Sequence, residues 1–232
     1  MTQMSSDGQR SNIANRRGVM FVISSPSGAG KTTLCRRLIT EVPGVQLSIS
    51  ATTRLVRPGE ADGVDYHFRT EAEFEQMIEA DAFLEWARVF SNFYGTPKSE
   101  VELRLQAAID VVFDVDWQGA RALKTQRPGD VCSVFVLPPS IPQLKQRLEG
   151  RPGSDEASVA SRLRGAGQDI LRWGEYDYAI INDNLDTAFA ELRAILMTER
   201  IRRARARMGI MVDQLLKDVG VATKVQTGSA GG

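Results

Sequence analysis

Cysteine is scarce: Cys35 and Cys132 are the only two among 232 residues. Two thiols cannot build a disulfide framework, which points to a reducing compartment. Histidine is scarcer, with His67 alone, so no acid–histidine pair is on offer for activating a nucleophile. Its neighbours suggest no metal site, and between two aromatics it reads as structural. An excess of either charge is lacking too, since 29 Lys and Arg balance 29 Asp and Glu. A protein-wide basic field for gripping nucleic acid or an anionic membrane is therefore not expected, and any anion site must be local. No apolar run approaches the ~18–20 residues of a membrane span. The first run, Val19-Met20-Phe21-Val22-Ile23, is shorter than the ~7–15 residue core of a secretory signal. The expected address is the cytoplasm.

What is present is an ordinary globular mixture, 42% hydrophobic and 25% charged, which excludes a disordered chain, a collagen and a disulfide miniprotein. Short apolar runs at 19–24, 46–50, 110–115, 131–136 and 178–182 read as buried strands. Helical patterns lie between them: 31–41 with Leu34, Leu38 and Ile39; 141–149 with Pro142 in the first turn; 155–172 with Val159, Leu163 and Ile170; and 185–207 with a stripe from Leu185 to Leu196. Strands alternating with helices predict a parallel sheet covered on both faces. Residues 52–97 and 140–172 fit this rhythm less well and read as insertions. Residues 1–16 read as a loose tail, 17–207 as the domain (core 17–51, 98–139 and 173–207), and 208–232 as an extension ending in linker-like composition. Within that extension, Ile210-Met211-Val212 and Leu215-Leu216 suit a short partner helix or a packed terminal turn. The arginine-rich stretch 200–207 reads better as a solvated helix end, with cations at the negative pole of the dipole, than as an RNA-binding arm.

The first strand runs into Ser24-Ser25-Pro26-Ser27-Gly28-Ala29-Gly30-Lys31-Thr32-Thr33, and a helix follows. This is close to the phosphate-loop pattern G-x-x-x-x-G-K-[ST], with Ser25 in place of the first glycine. Glycines let successive backbone N–H groups converge on an anion, and the helix N-terminus adds partial positive charge. Ser25, Pro26, Ser27, Gly28, Ala29 and Gly30 would form the cradle for a nucleotide's phosphates. Lys31 would reach the β and γ phosphates and the Thr32 hydroxyl would ligate Mg²⁺. The alternative is a plain Gly-rich turn. Cys35, one turn on, reads as a small core residue. The strand Val111-Val112-Phe113 delivers Asp114 and Asp116. An acid at the end of a strand beside such a loop suits a metal, with a turn-forming acid as the bland alternative.

A second signal separates the classes of phosphate-loop protein: Thr52-Thr53-Arg54, then Arg57, Glu60, Gly63, Tyr66 and Phe68. At each of these positions the chain resembles the guanylate kinase family, whose signature is T-[ST]-R-x-x-[KR]-x-x-[DE]-x-x-G-x-x-Y-x-[FY]. Arg69 departs at the flanking position. The resemblance runs from about residue 18 to about residue 205 and takes in Phe83-Leu84-Glu85-Trp86-Ala87, Tyr94-Gly95-Thr96, Asp114-Val115-Asp116, Leu148-Glu149-Gly150-Arg151 and Asn182-Asp183. It implies a phosphate-loop three-layer α/β/α fold with an inserted GMP-binding subdomain at 52–97 and a lid at 140–172.

The resemblance also implies reversible transfer of the ATP γ-phosphoryl group to GMP, giving ADP and GDP. It puts Arg54, Arg57, Tyr66 and Tyr94 on the GMP phosphate, where two arginines can fork onto an anion. Ser50, Glu85 and Thr96 would meet the base, the Glu85 carboxylate accepting the paired N1–H and amine hydrogens of guanine. Asp116 would lie near GMP and the metal, with Asp114 supporting it. Arg147, Arg151 and Arg162 would be the phosphate-facing arginines of the lid, and Asn182 and Asp183 would meet the adenine. Capping the helix from Leu185 is the plainer role for that last pair. Two other functions stay open: a related module that binds without catalysis, and a phosphate-loop kinase for another phosphorylated acceptor. The oligomeric state stays open as well.

Overall fold

The structure, a computed structural model, describes residues 16–89, 91–150, 154–202 and 209–221. In chain order its elements are β1 (Met20–Ser24), α1 (Lys31–Glu41), β2 (Val45–Leu47), β3 (Ala51–Thr52), β4 (His67–Phe68), α2 (Glu71–Glu79), β5 (Phe83–Val89), β6 (Asn92–Pro97), α3 (Lys98–Gln106), β7 (Asp110–Asp114), α4 (Trp117–Gln126), β8 (Val131–Leu137), α5 (Ile141–Glu149), α6 (Glu156–Ile170), β9 (Tyr178–Ile181), α7 (Leu185–Arg200) and α8 (Gly209–Asp218).

β1 has no polar face because both of its faces are covered. It is the middle strand of a five-stranded parallel sheet ordered β2-β7-β1-β8-β9. Side chains alternate across a strand. Val19, Phe21 and Ile23 pack with Leu34, Cys35 and Leu38 of α1 and with Ala188, Phe189, Leu192 and Leu196 of α7. Met20 and Val22 pack on the opposite face with Val101 and Leu105 of α3 and Ala120 and Leu123 of α4. The result is the three-layer α/β/α arrangement, with the strands' C-terminal ends at one edge.

A second sheet, ordered β4-β3-β6-β5, is mixed: β3 and β4 run parallel, while β3–β6 and β5–β6 run antiparallel. It has its own small core of Ala51, Phe74, Phe83 and Phe93, in which Phe74 stacks on Phe83 at 4.5 Å. α5 and α6 close on each other through Leu144, Leu148, Val159 and Ala166.

The chain after α6 is fastened to the core. The guanidiniums of Arg121 and Arg172 lie 5.1 and 4.6 Å from the Trp117 ring. Arg121 also bonds Glu175 at 2.8 Å, and Lys124 reaches Asp177 at 2.7 Å.

Two expected spans are shorter than the sequence pattern. The strand at 46–50 ends at Leu47. The helix expected over 185–207 ends at Arg200. There Arg200 turns inward, donating to Asp110 at 2.6 Å and to the Pro43 carbonyl at 2.8 Å. Continuing the helix would also set like charges at i,i+3 and i,i+4 spacing. Residues 203–207 lie outside the described residues. The extension does form the helix α8, on which Met211, Val212 and Leu215 are exposed.

At the opposite edge of the sheet from the strands' C-terminal ends, Asp110 is fully buried. It accepts from Arg16 at 2.5 and 3.0 Å, from Arg200 at 2.6 Å and from the Val19 amide at 2.9 Å. Removing one partner of such a group leaves uncompensated buried charge, here two cations. Asp110→Ala is therefore expected to lower folding stability by about 3–5 kcal/mol, read from urea denaturation curves. A loss under about 1 kcal/mol would show that the cluster is not a keystone.

Candidate active site

The turn from β1 to α1 depends on two glycines with left-handed backbone, Gly28 at φ 96° and Gly30 at φ 97°. Pro26 and Ala29 are buried, and the Ala29 amide donates to the Pro26 carbonyl at 3.2 Å. Ser25 stands at the first-glycine position with its hydroxyl on the Pro26 carbonyl at 3.0 Å, a conformation that needs no glycine. Thr70, Asp116, Ser140, Asp155 and Asn184 each cap a helix with a side chain. α1 has no side-chain cap and no acid in its first turn. Its first amides are left to an external acceptor, which is how a helix N-terminus holds phosphate.

Lys31 and Thr32 open α1 and meet the end of β7. The Lys31 ammonium lies 2.5 Å from Asp114 and donates to the Val115 carbonyl at 3.0 Å. The Thr32 hydroxyl lies 3.4 Å from the other Asp114 oxygen. A hydroxyl and a carboxylate are hard oxygen donors of the kind Mg²⁺ takes, alongside phosphate and water. Among the described residues no group of three or more His, Cys, Asp or Glu could hold a metal alone. The donor set thus suits an ion that completes its shell on a nucleotide.

Asp116 caps α4, accepting from Gln118 and Gly119 amides at 3.0 Å. It also acts at a distance. Burial holds the Glu85 carboxyl above its usual range, the Thr96 hydrogen bond opposes this, and the negative charge of Asp116 adds to it. Asp169 on α6 is raised likewise by burial and by Asp116, with Lys31 opposing. The sequence reading did not single out Asp169. It carries no motif, and only the packing of α6 brings it to Lys31.

The second sheet presents the other predicted residues. Glu85 on β5 pairs in register with Thr96 on β6, whose hydroxyl bonds its carboxylate at 2.5 Å. Ser50 sits at the entry to β3, where its carbonyl accepts from the His67 amide at 2.9 Å. Arg54 lies over Tyr66 at 5.3 Å and Phe68 at 5.8 Å, and Tyr66 packs edge-on against Tyr94 at 6.1 Å. Glu60 holds Arg54 at 2.7 Å and the Arg57 amide at 2.9 Å. Glu60 was visible only as a signature letter; its task is to hold the arginine loop in shape. Arg57 itself is exposed.

The remaining predicted residues divide. Asn182 is buried and its amide donates to the Ala29 carbonyl at 2.7 Å, so that nitrogen straps the phosphate loop. Asp183 is exposed beside it. Neither caps α7. Asn184 does, accepting from Asp186 and Thr187 amides at 2.9 and 3.1 Å, because it stands at the position whose side chain reaches those amides. Arg147 on α5 donates to the Asn182 carbonyl at 2.9 Å, next to the loop. Arg162 is exposed on α6, where its charge helps lower the Asp155 pKa after that residue's hydrogen bonds to Ser158. Arg151 lies outside the described residues. Cys35 is a core residue, its thiol pushed up to about 12 by burial and then by Asp114.

The guanylate kinase family model matches residues 17–199. The chain belongs to the guanylate kinase family. A guanylate kinase of Hyphomonas neptunium is 56% identical over 202 residues, 87% of this chain and 93% of that protein. One from Rhodopseudomonas palustris is 50% identical over 194 residues, 84% and 89% of the two chains. The crystal structure of guanylate kinase from Anaplasma phagocytophilum superposes with a TM-score of 0.64 at 30% identity, covering 89% of this chain and 97% of that one. Among the described residues no helix is long and apolar enough to cross a membrane.

For this member of the guanylate kinase family, Gly30 is the most constrained position of the loop. A Cβ there would lie 2.2 Å from the Asn182 amide nitrogen, on a backbone that L side chains rarely adopt. Gly30→Ala is expected to weaken ATP binding at least about tenfold by displacing that strap, measured by calorimetric titration. Gly165→Ala on α6, where a Cβ meets nothing within 4 Å, is the control. It should bind ATP normally and gain about 0.5–1 kcal/mol of stability. Equal ATP affinity in all three proteins would remove the loop geometry from nucleotide binding.

Proposed function

We propose that the chain transfers the γ-phosphoryl group of ATP to GMP, reversibly, giving ADP and GDP, with the residue roles that follow. The observation that carries this reading is the pairing of two anion sites of different design. One is an uncapped helix N-terminus with Lys31 at its mouth. The other is a sheet presenting Arg54 and two tyrosines beside a half-buried carboxylate, Glu85, already oriented by Thr96.

Ser25 to Gly30 cradle the ATP phosphates with backbone N–H groups, and Lys31 bonds the β and γ oxygens. When bound, Mg²⁺ supplies charge neutralisation between those phosphates, and Thr32 and Asp114 would hold it. Arg54, Arg57, Tyr66 and Tyr94 grip the GMP phosphate. Glu85, with Ser50 and Thr96, reads guanine: N1–H and the exocyclic amine give the carboxylate two donors and restore the ionised form that burial disfavours. AMP lacks that donor pair and would leave a buried acceptor unmatched, a kind of mismatch able to reject an analogue by ~10⁴-fold. Asp116 borders both GMP and the metal position. Asn182 and Asp183 lie on the adenine side.

An oxygen of the GMP phosphate attacks the γ phosphorus, a new P–O bond forms, and the bond to the ADP oxygen breaks. No general base is needed, because a phosphate monoester with a second pKa ≈ 6 is already largely ionised at neutral pH. Arg147, Arg151 and Arg162 meet the charge spread over the transferring group. The lid of α5 and α6 excludes the water that would otherwise hydrolyse ATP.

A coupled assay with ATP, GMP and Mg²⁺ tests the reaction, and an acceptor screen tests its specificity. ADP release with a ribose bisphosphate but not with GMP would replace this reading. Lys31→Ala is expected to cut turnover by about 10²-fold or more, and near-normal activity would refute the cradle. Glu85→Gln should shrink the preference for GMP over AMP by at least about tenfold, since an amide presents one acceptor and a misplaced donor. Unchanged discrimination would take Glu85 out of base reading.

A further inference from the structure

The β3–β6 sheet joins the core at two links. The chain enters between Leu47, the end of β2, and Ala51, the start of β3, and leaves where Pro97 of β6 meets Lys98 of α3. Three side chains outside the site connect both links. His67, on the edge strand β4, bonds Glu100 in the first turn of α3 through its Nε2. Glu100 uses its other oxygen on Arg104, one turn along α3. Arg104 donates to the Leu47 carbonyl at 2.7 Å. The His67 amide bonds the Ser50 carbonyl at 2.9 Å within the entry link.

Alternation along the strand explains why His67 is placed for this. Tyr66 and Phe68 turn one way, toward Arg54, and His67 turns the other way, toward α3. We infer that His67, Glu100 and Arg104 form a clamp across the hinge of the GMP-binding sheet, and that it positions this sheet for GMP. His67 is thus a positioning residue, not a catalytic one. This rests on the reading of that sheet as the GMP site.

The clamp is half-buried, with side-chain exposures of 22% for His67, 23% for Glu100 and 17% for Arg104. Its contacts are therefore less screened than a surface pair. Glu100 engages both of its oxygens, one with His67 and one with Arg104, so a single carboxylate ties β4 to α3.

The test compares His67→Phe and Glu100→Gln with the unaltered chain, taking KM for GMP, KM for ATP and kcat, with melting temperature alongside. His67→Phe should raise KM for GMP about tenfold, with KM for ATP and kcat within about twofold. Glu100→Gln, which keeps shape and loses charge, should give a smaller rise. A GMP KM that does not move, or GMP and ATP constants that rise together with a falling melting temperature, overturns the clamp. Failure of the unaltered chain to take up GMP in a binding titration overturns the site reading itself, and this shows before any variant is made.

Discussion

The site hangs on a few residues of backbone held in a conformation that most side chains refuse. Gly28 and Gly30 turn left-handed so that the chain can leave a buried strand and enter α1 with its amides facing outward. Neighbours keep that turn in place. Asn182 bonds the carbonyl between the two glycines. Leu144 and Leu148 of α5 press on Gly28 so closely that a Cβ there would come within 2.9 Å of one and 3.0 Å of the other. The positions of Lys31, Thr32 and Asp114 follow from the turn, since α1 starts where it ends and β7 runs beside β1.

Electrostatics then divides the labour between the two sheets. The parallel sheet brings Asp114 to its C-terminal edge against Lys31, Asp116 follows at the cap of α4, and α6 adds Asp169. The smaller sheet gathers Arg54 and Tyr66 and presents the half-buried Glu85 carboxylate, which on the proposed reading meet the phosphate and the base of GMP. Neither half suffices alone, because in-line transfer between two polyanions requires both to be held at once. The charge balance of the whole chain is zero, so this local sorting of charge, not a global field, is what makes room for nucleotides.

Much of this was legible in the sequence, for identifiable reasons. A central strand covered on both faces reads as an unbroken apolar run, so β1, β7 and β8 were found nearly to the residue. Gly-Ala-Gly-Lys-Thr after such a run admits few other meanings. α3 was not singled out, since its apolar residues form almost no stripe; α4 was not singled out either, although Ala120 and Leu123 mark its buried face. Side-chain duties assigned by tertiary contact left no trace in spacing. Asn182 straps a loop far away in the chain, Asn184 takes the helix cap that was the plainer alternative for Asn182 and Asp183, and Glu60 braces Arg54. The lone histidine read as structural and no acid–histidine pair was expected, yet the fold pairs His67 with Glu100, a residue that belongs to no motif.

Arg121 and Arg172 share the ring of Trp117 and the carboxylate of Glu175, and this anchors the chain that returns from α6. From Arg172 onward the returning chain is bolted to α4 and β8 through Glu175 and Asp177, whose carboxylate also takes the Ser133 amide and hydroxyl. The returning chain is thus held from Arg172 onward, one residue past the C-cap Leu171 of α6. β9 and the Asn182 strap lie downstream of that anchorage, while α5 reaches the phosphate loop directly, through Leu144 and Leu148 against Gly28 and Arg147 on the Asn182 carbonyl, so any displacement of α5 would be felt at the loop itself.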